Sequence, residues 1–324
     1  MYFNDSNNFF HGIMFHHFHD KNIHSKGQGS ISNDDFYKII KFIGRKNILD
    51  AEVFLEKYKK KKLEKNHVCF TFDDSIRCQL DVALPVLEEF KIKSFFFVYT
   101  SIFEENPDNL EVFRHFRMTN FENINDFYKI FFQNSDLDYE KIFKENTDEI
   151  ELKRNKFPYY STEDIKFRLI RDNYLTKLNY EKIMYLIMDK KNFAPKDCYK
   201  KLFFQKNDLI KLDKLGHYIG LHSHNHPISI EKLSYEEQLD EYSKNLLSIA
   251  NILGKSKKDI KCMSHPCGSY NKNSLKILSD LGVELGFKQI MSIEHEKGMK
   301  KINNSFLEIA REDHSKIFKR IKNN

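Results

Sequence analysis

Residues 93–100, Lys-Ser-Phe-Phe-Phe-Val-Tyr-Thr, are apolar almost from end to end, with no polar alternation. A strand with one face in water alternates. A strand buried on both faces does not, and that double burial marks a parallel sheet covered by its own crossover helices. Strand patterning recurs at residues 11–18, 67–72, 217–223, 261–266, 281–287 and 305–311. Between these segments the apolar residues fall at helical spacing. Phe36, Ile39, Ile40 and Ile43 follow Ser32 or Asn33, either of which can cap a helix with an acidic first turn. Leu80, Leu84, Leu87 and Phe90 share one face of a second helix, which Pro85 is expected to kink. Residues 234–254 read as a long helix. Strand, helix and strand in repetition mean an α/β chain with a largely parallel sheet or barrel.

Residues 104–206 break that rhythm, being rich in Phe, Tyr, Lys and Asn, helical in pattern and poor in strand candidates. Phe, Tyr, Ile and Leu recur too often there for a disordered linker. The expected organisation is therefore a core fold in two parts, residues 1–103 and 207–324, interrupted by a helical insertion or cap at 104–206. The aromatic rings of the insertion serve either as its core or as platforms for sugar rings.

The chain has 324 residues, 40% of them hydrophobic, enough to bury a sizeable core. Its 53 Lys and Arg against 47 Asp and Glu leave +6, too mild a surplus for a nucleic-acid binder. The lysine run at 57–65 reads as a solvated helix end. Residues 1–20 lack a basic leader followed by an apolar core, and no stretch approaches the ~18 uninterrupted apolar residues of a membrane span. The cysteines, Cys69, Cys78, Cys198, Cys262 and Cys267, form no CxxC pair, and their odd number fits a disulfide framework poorly. The expectation is a reduced, cytoplasmic chain with no transmembrane segment and no nucleic-acid partner.

Strand ends carry the chemistry. Residues 68–75, Val-Cys-Phe-Thr-Phe-Asp-Asp-Ser, end on two neighbouring carboxylates, although Asp is depleted from strands. Successive side chains at a strand end point to different sides, so one carboxylate can bind a cation while the other faces water or substrate. A plain turn capping a helix from Ile76 accounts for the same residues. Residues 221–227, Leu-His-Ser-His-Asn-His-Pro, follow another strand and place His222, His224 and His226 at alternate positions. A divalent metal takes imidazole nitrogens and an oxygen ligand and leaves positions open. His222 and His226 flank a turn and can face one ion, with His224 pointing elsewhere; a polar loop without a ligand is the plainer alternative. Residues 264–271, Ser-His-Pro-Cys-Gly-Ser-Tyr-Asn, form a third strand end with a glycine turn, whose backbone N–H groups suit an oxyanion.

In order and form these pieces resemble the polysaccharide deacetylases, carbohydrate esterase family 4. The first motif of that family, a strand ending Thr-Phe-Asp-Asp, is matched by Thr71, Phe72, Asp73 and Asp74. Its second, His-Ser/Thr-x-x-His before a Pro, is matched by His222, Ser223, His226 and Pro227. Residues 12–18, Gly-Ile-Met-Phe-His-His-Phe, are similar to the opening strand of bacterial members. The resemblance covers residues 11–103 and 207–323 and implies an α/β fold, a distorted parallel (β/α) barrel of about seven strands. It implies Asp74, His222 and His226 as ligands of a divalent metal, zinc being the expected ion, with Asp73 as general base and the Cys267 N–H as oxyanion donor. Two departures stand out. Ser264 occupies the position of an Arg that braces the catalytic Asp, and Arg311 is the candidate to replace that brace. No Leu-x-His motif for the general acid is evident; His314 is the first candidate, with His265 and His16 behind it. The implied activity is metal-dependent removal of an N-acetyl or N-formyl group from an amino sugar. The expected substrate is nucleotide-linked, lipid-linked or a glycan, with a cytoplasmic precursor in surface glycan synthesis preferred. A phosphoesterase-type metal hydrolase and a catalytically inactive carbohydrate-binding member are the alternatives.

Overall fold

The computed structural model describes residues 2–4, 7–27, 29–104, 107–156, 160–289, 291 and 305–323. The chain folds into two compact units, one of residues 1–26, 30–108 and 203–324, the other of residues 27–29 and 109–202.

In the first unit the apolar runs become strands: β1 His11–Phe15, β2 Val68–Phe72, β3 Phe95–Val98, β4 Tyr218–Leu221, β5 Cys262–Ser264, β6 Leu285–Phe287 and β7 Arg311–Asp313. They form one 7-stranded sheet in the order β6-β5-β4-β3-β2-β1-β7. Every pairing in it is parallel. The sheet curls into a nearly closed barrel because the segment leading into β7 also pairs beside β6, through Phe287 and Ile309. Ile309 N–H donates to the Gly286 carbonyl at 2.9 Å and Lys288 N–H to the Ile309 carbonyl at 2.8 Å. Gly286 permits that approach, since a Cβ there would lie 2.7 Å from the Leu307 carbonyl oxygen.

Strand alternation sorts the core. Phe95 and Phe97 point to one side, packing with Cys69, Cys262, Leu285 and Phe287. Phe96 points to the other, its ring stacked on Phe72 with centroids 4.8 Å apart. Outside the sheet, Phe36, Ile39, Ile40 and Ile43 line the buried face of the helix Asn33–Ile43. Ser32 caps that helix, its hydroxyl accepting from Asp35 N–H at 3.2 Å while Asp35 accepts from Ser32 N–H.

Two expected elements differ. The last strand lies at Arg311–Asp313 rather than over 305–311, because Ser305 turns the chain first. Its hydroxyl accepts from Leu307 N–H at 3.2 Å and its carbonyl from Glu308 N–H at 3.1 Å. Pro85 does not kink a helix interior. A wide turn over Gln79–Ala83 passes into the helix Leu84–Glu89, and Pro85 sits in the first turn of that helix, where its missing N–H costs nothing.

The second unit consists of helices, the longest being Lys177–Lys190. Many of its aromatic residues are core: Phe116, Phe127, Phe131 and Phe167 are fully buried, and the last two pack edge to face at 4.8 Å, while Tyr174 and Tyr185 are exposed. A buried carboxylate lies among them. Asp164 accepts from Tyr128 Oη at 2.8 Å, Arg168 Nε at 2.6 Å and Arg117 Nη1 at 3.3 Å. Burial alone would raise its pKa, but the two guanidinium groups outweigh that and hold it low. Among the described residues, no helix is long and apolar enough to cross a membrane.

Buried barrel histidines shape the acid response, His217 and His265 more strongly than His11. His217 Nδ1 accepts from Ser94 N–H at 3.1 Å, which requires a neutral ring, and His265 Nε2 donates to the Leu307 carbonyl at 2.9 Å. Burial holds both pKa values down to about 3, from an ordinary 6.5. Below pH 6.5 the unfolded chain protonates both rings while the folded chain does not, so stability falls as pH drops. The expected slope is about 1.4 kcal/mol per pH unit per histidine between pH 6 and pH 4.5. Guanidinium unfolding across that range measures it, and a flat profile would contradict neutral burial of the two rings.

Candidate active site

The site is assembled where β1, β2, β4 and β5 end, with Arg311 reaching in from the first residue of β7. Asp73 is the first residue past β2, and its N–H still donates to the Phe15 carbonyl at 3.1 Å. Asp74 and Ser75 then take left-handed conformations, φ 72° and 55°, which turn the chain off the sheet. Aspartate tolerates that region better than most residues. Phe204 fixes the turn, donating its N–H to the Ser75 carbonyl at 2.9 Å. The two carboxylates of the doublet therefore face different partners.

Asp73 is almost fully buried and meets Arg311 from β7. Arg311 Nη1 donates to Oδ1 at 2.8 Å, and Nη2 stands 2.8 Å from Oδ2. The guanidinium is aimed by Thr71 Oγ1 at 3.2 Å and by the Lys288 carbonyl at 2.7 Å. Gly12 makes room for it, since a Cβ there would come within 2.9 Å of Arg311 Cγ. Ser264 donates its hydroxyl to Asp73 Oδ2 at 3.1 Å. Burial pushes the Asp73 carboxyl up, but the Arg311 charge and the hydrogen bond from its guanidinium outweigh that and hold the group ionised below its usual range.

Asp74 faces the histidine loop. Its Oδ1 lies 3.2 Å from His222 Nε2 and 3.2 Å from His226 Nε2. Left-handed residues at Ser223 and His226, φ 62° and 53°, fold the loop so that both rings turn to one point. Helix Tyr235–Leu253 holds it there. Asn245 Oδ1 accepts from His222 N–H at 3.0 Å, and Glu241 Oε2 accepts the N–H groups of His224 and Asn225 at 3.0 and 2.8 Å. His224 turns elsewhere, its Nδ1 2.9 Å from Thr100 Oγ1.

The donor set fits a cation. His222 Nδ1 lies 2.8 Å from the Ser264 carbonyl, which only accepts, so Nδ1 carries the hydrogen and Nε2 presents a lone pair. Lone pairs from His222 and from Asp74 thus converge with His226, and the three ligand atoms lie within 4.8 Å of one another. Without a positive charge at their centre these groups repel. Two imidazoles and one carboxylate, with further positions left open, suit a divalent metal such as zinc. Burial raises the Asp74 carboxyl, and positive charge on His16 or His226 brings it well below its ordinary value.

The histidine candidates for the acid separate clearly. His16, one residue past β1, places Nε2 3.9 Å from Asp73 Oδ2 and 3.8 Å from Asp74 Oδ2. His314 opens the helix His314–Asn323, its ring stacked 5.6 Å from Phe15 and its Nδ1 3.2 Å from the Met14 carbonyl. His265 stacks on Tyr270 at 4.1 Å. His16 is thus the histidine that the fold brings to the doublet. Cys267 lies in the turn Pro266–Gly268 after β5 in a left-handed conformation, φ 52°. Sequence reasoning did not find Glu241 and Asn245. A signal existed, because Gln238, Glu241 and Asn245 share the buried face of their helix with Tyr242, Leu246 and Ile249.

Residues 60–122 and 173–286 match the family model described as polysaccharide deacetylase. No curated protein matches the chain by sequence. Among solved structures, the deacetylase PplD of Streptococcus pyogenes, in complex with acetate, is 15% identical with a TM-score of 0.54, covering 93% of this chain and 90% of that one. A de-N-acetylase from Aggregatibacter actinomycetemcomitans is 13% identical, TM-score 0.50, covering 91% and 98%. The deacetylase domain of BpsB from Bordetella bronchiseptica is 10% identical, TM-score 0.51, covering 95% and 96%. At these identities the structural likeness establishes the shared fold.

Replacing Arg311 with Met keeps volume but strands the buried Asp73 carboxylate. We expect a loss of about 3–5 kcal/mol in denaturant unfolding at pH 7. Most of it should return in the Arg311→Met/Asp73→Asn double variant. Equal instability of single and double variants would assign the loss to packing of the Arg311 stem instead.

Proposed function

The chain belongs to the polysaccharide deacetylase family, hydrolases of amide C–N bonds, and we propose that it removes an N-acetyl or N-formyl group from an amino sugar with the help of a divalent metal, zinc in the first instance. The observation that carries this reading is the convergence of Asp74, His222 and His226 beside a carboxylate held ionised by Arg311. When bound, the cation supplies Lewis acidity, drawing electron density from the acyl carbonyl and making a water acidic enough to attack near neutral pH. Asp74, His222 and His226 hold it.

The remaining roles fall to the chain itself. Asp73 accepts the proton of the attacking water, since Arg311 keeps it charged and fixes its direction. The Cys267 N–H is assigned to the oxygen that becomes negative as the carbonyl carbon turns tetrahedral. His16, in place of His314, gives a proton to the departing sugar nitrogen, because its Nε2 lies within 4 Å of both carboxylates, at 3.9 and 3.8 Å. The C–N bond then breaks, leaving free amine and a carboxylate. The acceptor is assigned to the nucleotide- or lipid-linked amino sugars of a cytoplasmic pathway. A phosphoesterase using two ions needs a second donor group, and one group of three close donors is found among the described residues.

The test is acetate and formate release from nucleotide-linked, lipid-linked and polymeric N-acyl amino sugars, with zinc or cobalt and again with chelator. Release that chelator abolishes is expected; phosphate release from a phosphoester panel instead would overturn the reading. Asp73→Asn should keep its metal and lose roughly 10²–10⁴-fold in kcat. His222→Ala and His226→Ala should lose tight metal binding, measured by metal content after dialysis. Near-normal turnover by Asp73→Asn would refute the assignment of the base.

A further inference from the structure

The strands that deliver the base and the acid are neighbours in a continuous ladder, yet their ends must part. The pairing of β1 with β2 runs in register to Phe15 and Phe72. One further bond follows, from Asp73 N–H to the Phe15 carbonyl at 3.1 Å. The next bond of a parallel ladder would run from His17 N–H to the Asp73 carbonyl. That carbonyl is instead taken by a side chain: Gln79 Nε2 donates to it at 2.6 Å. The same nitrogen donates to the His16 carbonyl at 3.0 Å. One amide therefore bridges the main chain of the two residues assigned as base and acid.

The orientation of that amide is determined. Both neighbours are carbonyl oxygens, which only accept, so the NH2 end faces them and the oxygen faces away. Gln79 is fully buried, and its Oε1 has no hydrogen-bond partner among the described residues. A Met or Leu would fill the same space without an orphaned acceptor, so packing alone does not call for Gln here. Gln79 also opens the wide turn Gln79–Ala83, a kind of helical irregularity that gathers at functional sites.

We propose that Gln79 is a positioning residue for the deacylation: its amide replaces one bond of the β1–β2 ladder and sets the spacing at which His16 and Asp73 address the same reacting amide. It touches no substrate and acts through the backbones of those two residues. The inference rests on the assignment of Asp73 and His16 made above.

The variant to make is Gln79→Met, which keeps the length and volume of the side chain and removes both donors. Its kcat should fall by roughly tenfold to a hundredfold, the scale expected of a misplaced catalytic group. KM and metal content should be little changed. Paired with His16→Ala, the substitution should add little to the loss caused by His16→Ala alone, because residues acting as one unit are not additive. Equal costs in the two backgrounds, or unchanged kcat, would overturn the proposal. Gln79→Asn, which keeps an amide too short to span both carbonyls, must behave in the same way, and it serves if the Met variant does not fold. A crystal structure of either variant supplies a readout independent of activity. His16 Nε2 should leave its positions 3.9 Å from Asp73 and 3.8 Å from Asp74. Finding His16 and Asp73 undisturbed would refute the positioning role even if the native chain released acyl groups. Displaced residues in a chain that released none would locate the failure in the deacylase reading instead.

Discussion

The pairing of Arg311 with Asp73 joins the closure of the barrel to the readiness of the site. The two residues stand 238 positions apart and are both almost wholly out of water. Neither tolerates that burial alone. An isolated Asp73 would take up a proton and cease to be a base, and an isolated Arg311 would carry an uncompensated charge into the interior. They meet only when β7 docks beside β1, and Arg311 then also bonds Thr71 in β2 and the carbonyl of Lys288 just past β6. One side chain thus touches several of the strands that must come together. The event that completes the sheet is thus also what keeps Asp73 ionised when it is buried.

A doublet of aspartates at a strand end is tolerable for a related reason. The carboxylates repel, but the left-handed turn at Asp74 and Ser75 sends them to separate counter-charges. Asp73 has a permanent cation in Arg311. Asp74 faces histidine nitrogens, whose lone pairs give it no positive charge unless a proton or a metal ion is present. That asymmetry divides the labour between the two. The residue with a built-in cation is free to exchange protons with water, and the residue without one is left as a ligand.

Chemistry carried by neighbouring residues was legible in the sequence, and chemistry carried by tertiary contacts was not. Thr71 to Asp74 and His222 to Pro227 are each contiguous, so both motifs could be read, and the family resemblance, not periodicity, implied that the carboxylate meets the two imidazoles. Phe95 to Val98 announced a doubly buried strand in the same way. The exact ends of β1 and β7 were less visible, because side chains terminate them: Gln79 at His16, and Ser305 ahead of Ile309. The choice among the histidines was hidden for the same reason. His314 follows the last strand, as the sequence indicated, but its ring lies on Phe15, and the ring beside the carboxylates belongs to β1. Glu241 and Asn245 share the buried face of their helix, but what they hold shows only in the folded loop, where they accept the N–H groups of His222, His224 and Asn225.

Ser264 shows what moving the guanidinium from β5 to β7 requires. In the family pattern that position carries the bracing Arg. Here Arg311 sits against both oxygens of Asp73, so a second guanidinium would bring a like charge into a buried site. A small donor fits instead, and Ser264 reaches Asp73 Oδ2 at 3.1 Å. Its carbonyl accepts from His222 Nδ1 at 2.8 Å and thereby holds the ring with Nε2 toward Asp74. One residue at the end of β5 therefore orients Asp73 with its side chain and the His222 imidazole with its main chain. The brace can come from another strand because the site is specified by where charge and hydrogen bonds converge, and β1, next to both β2 and β7, brings them to the same point.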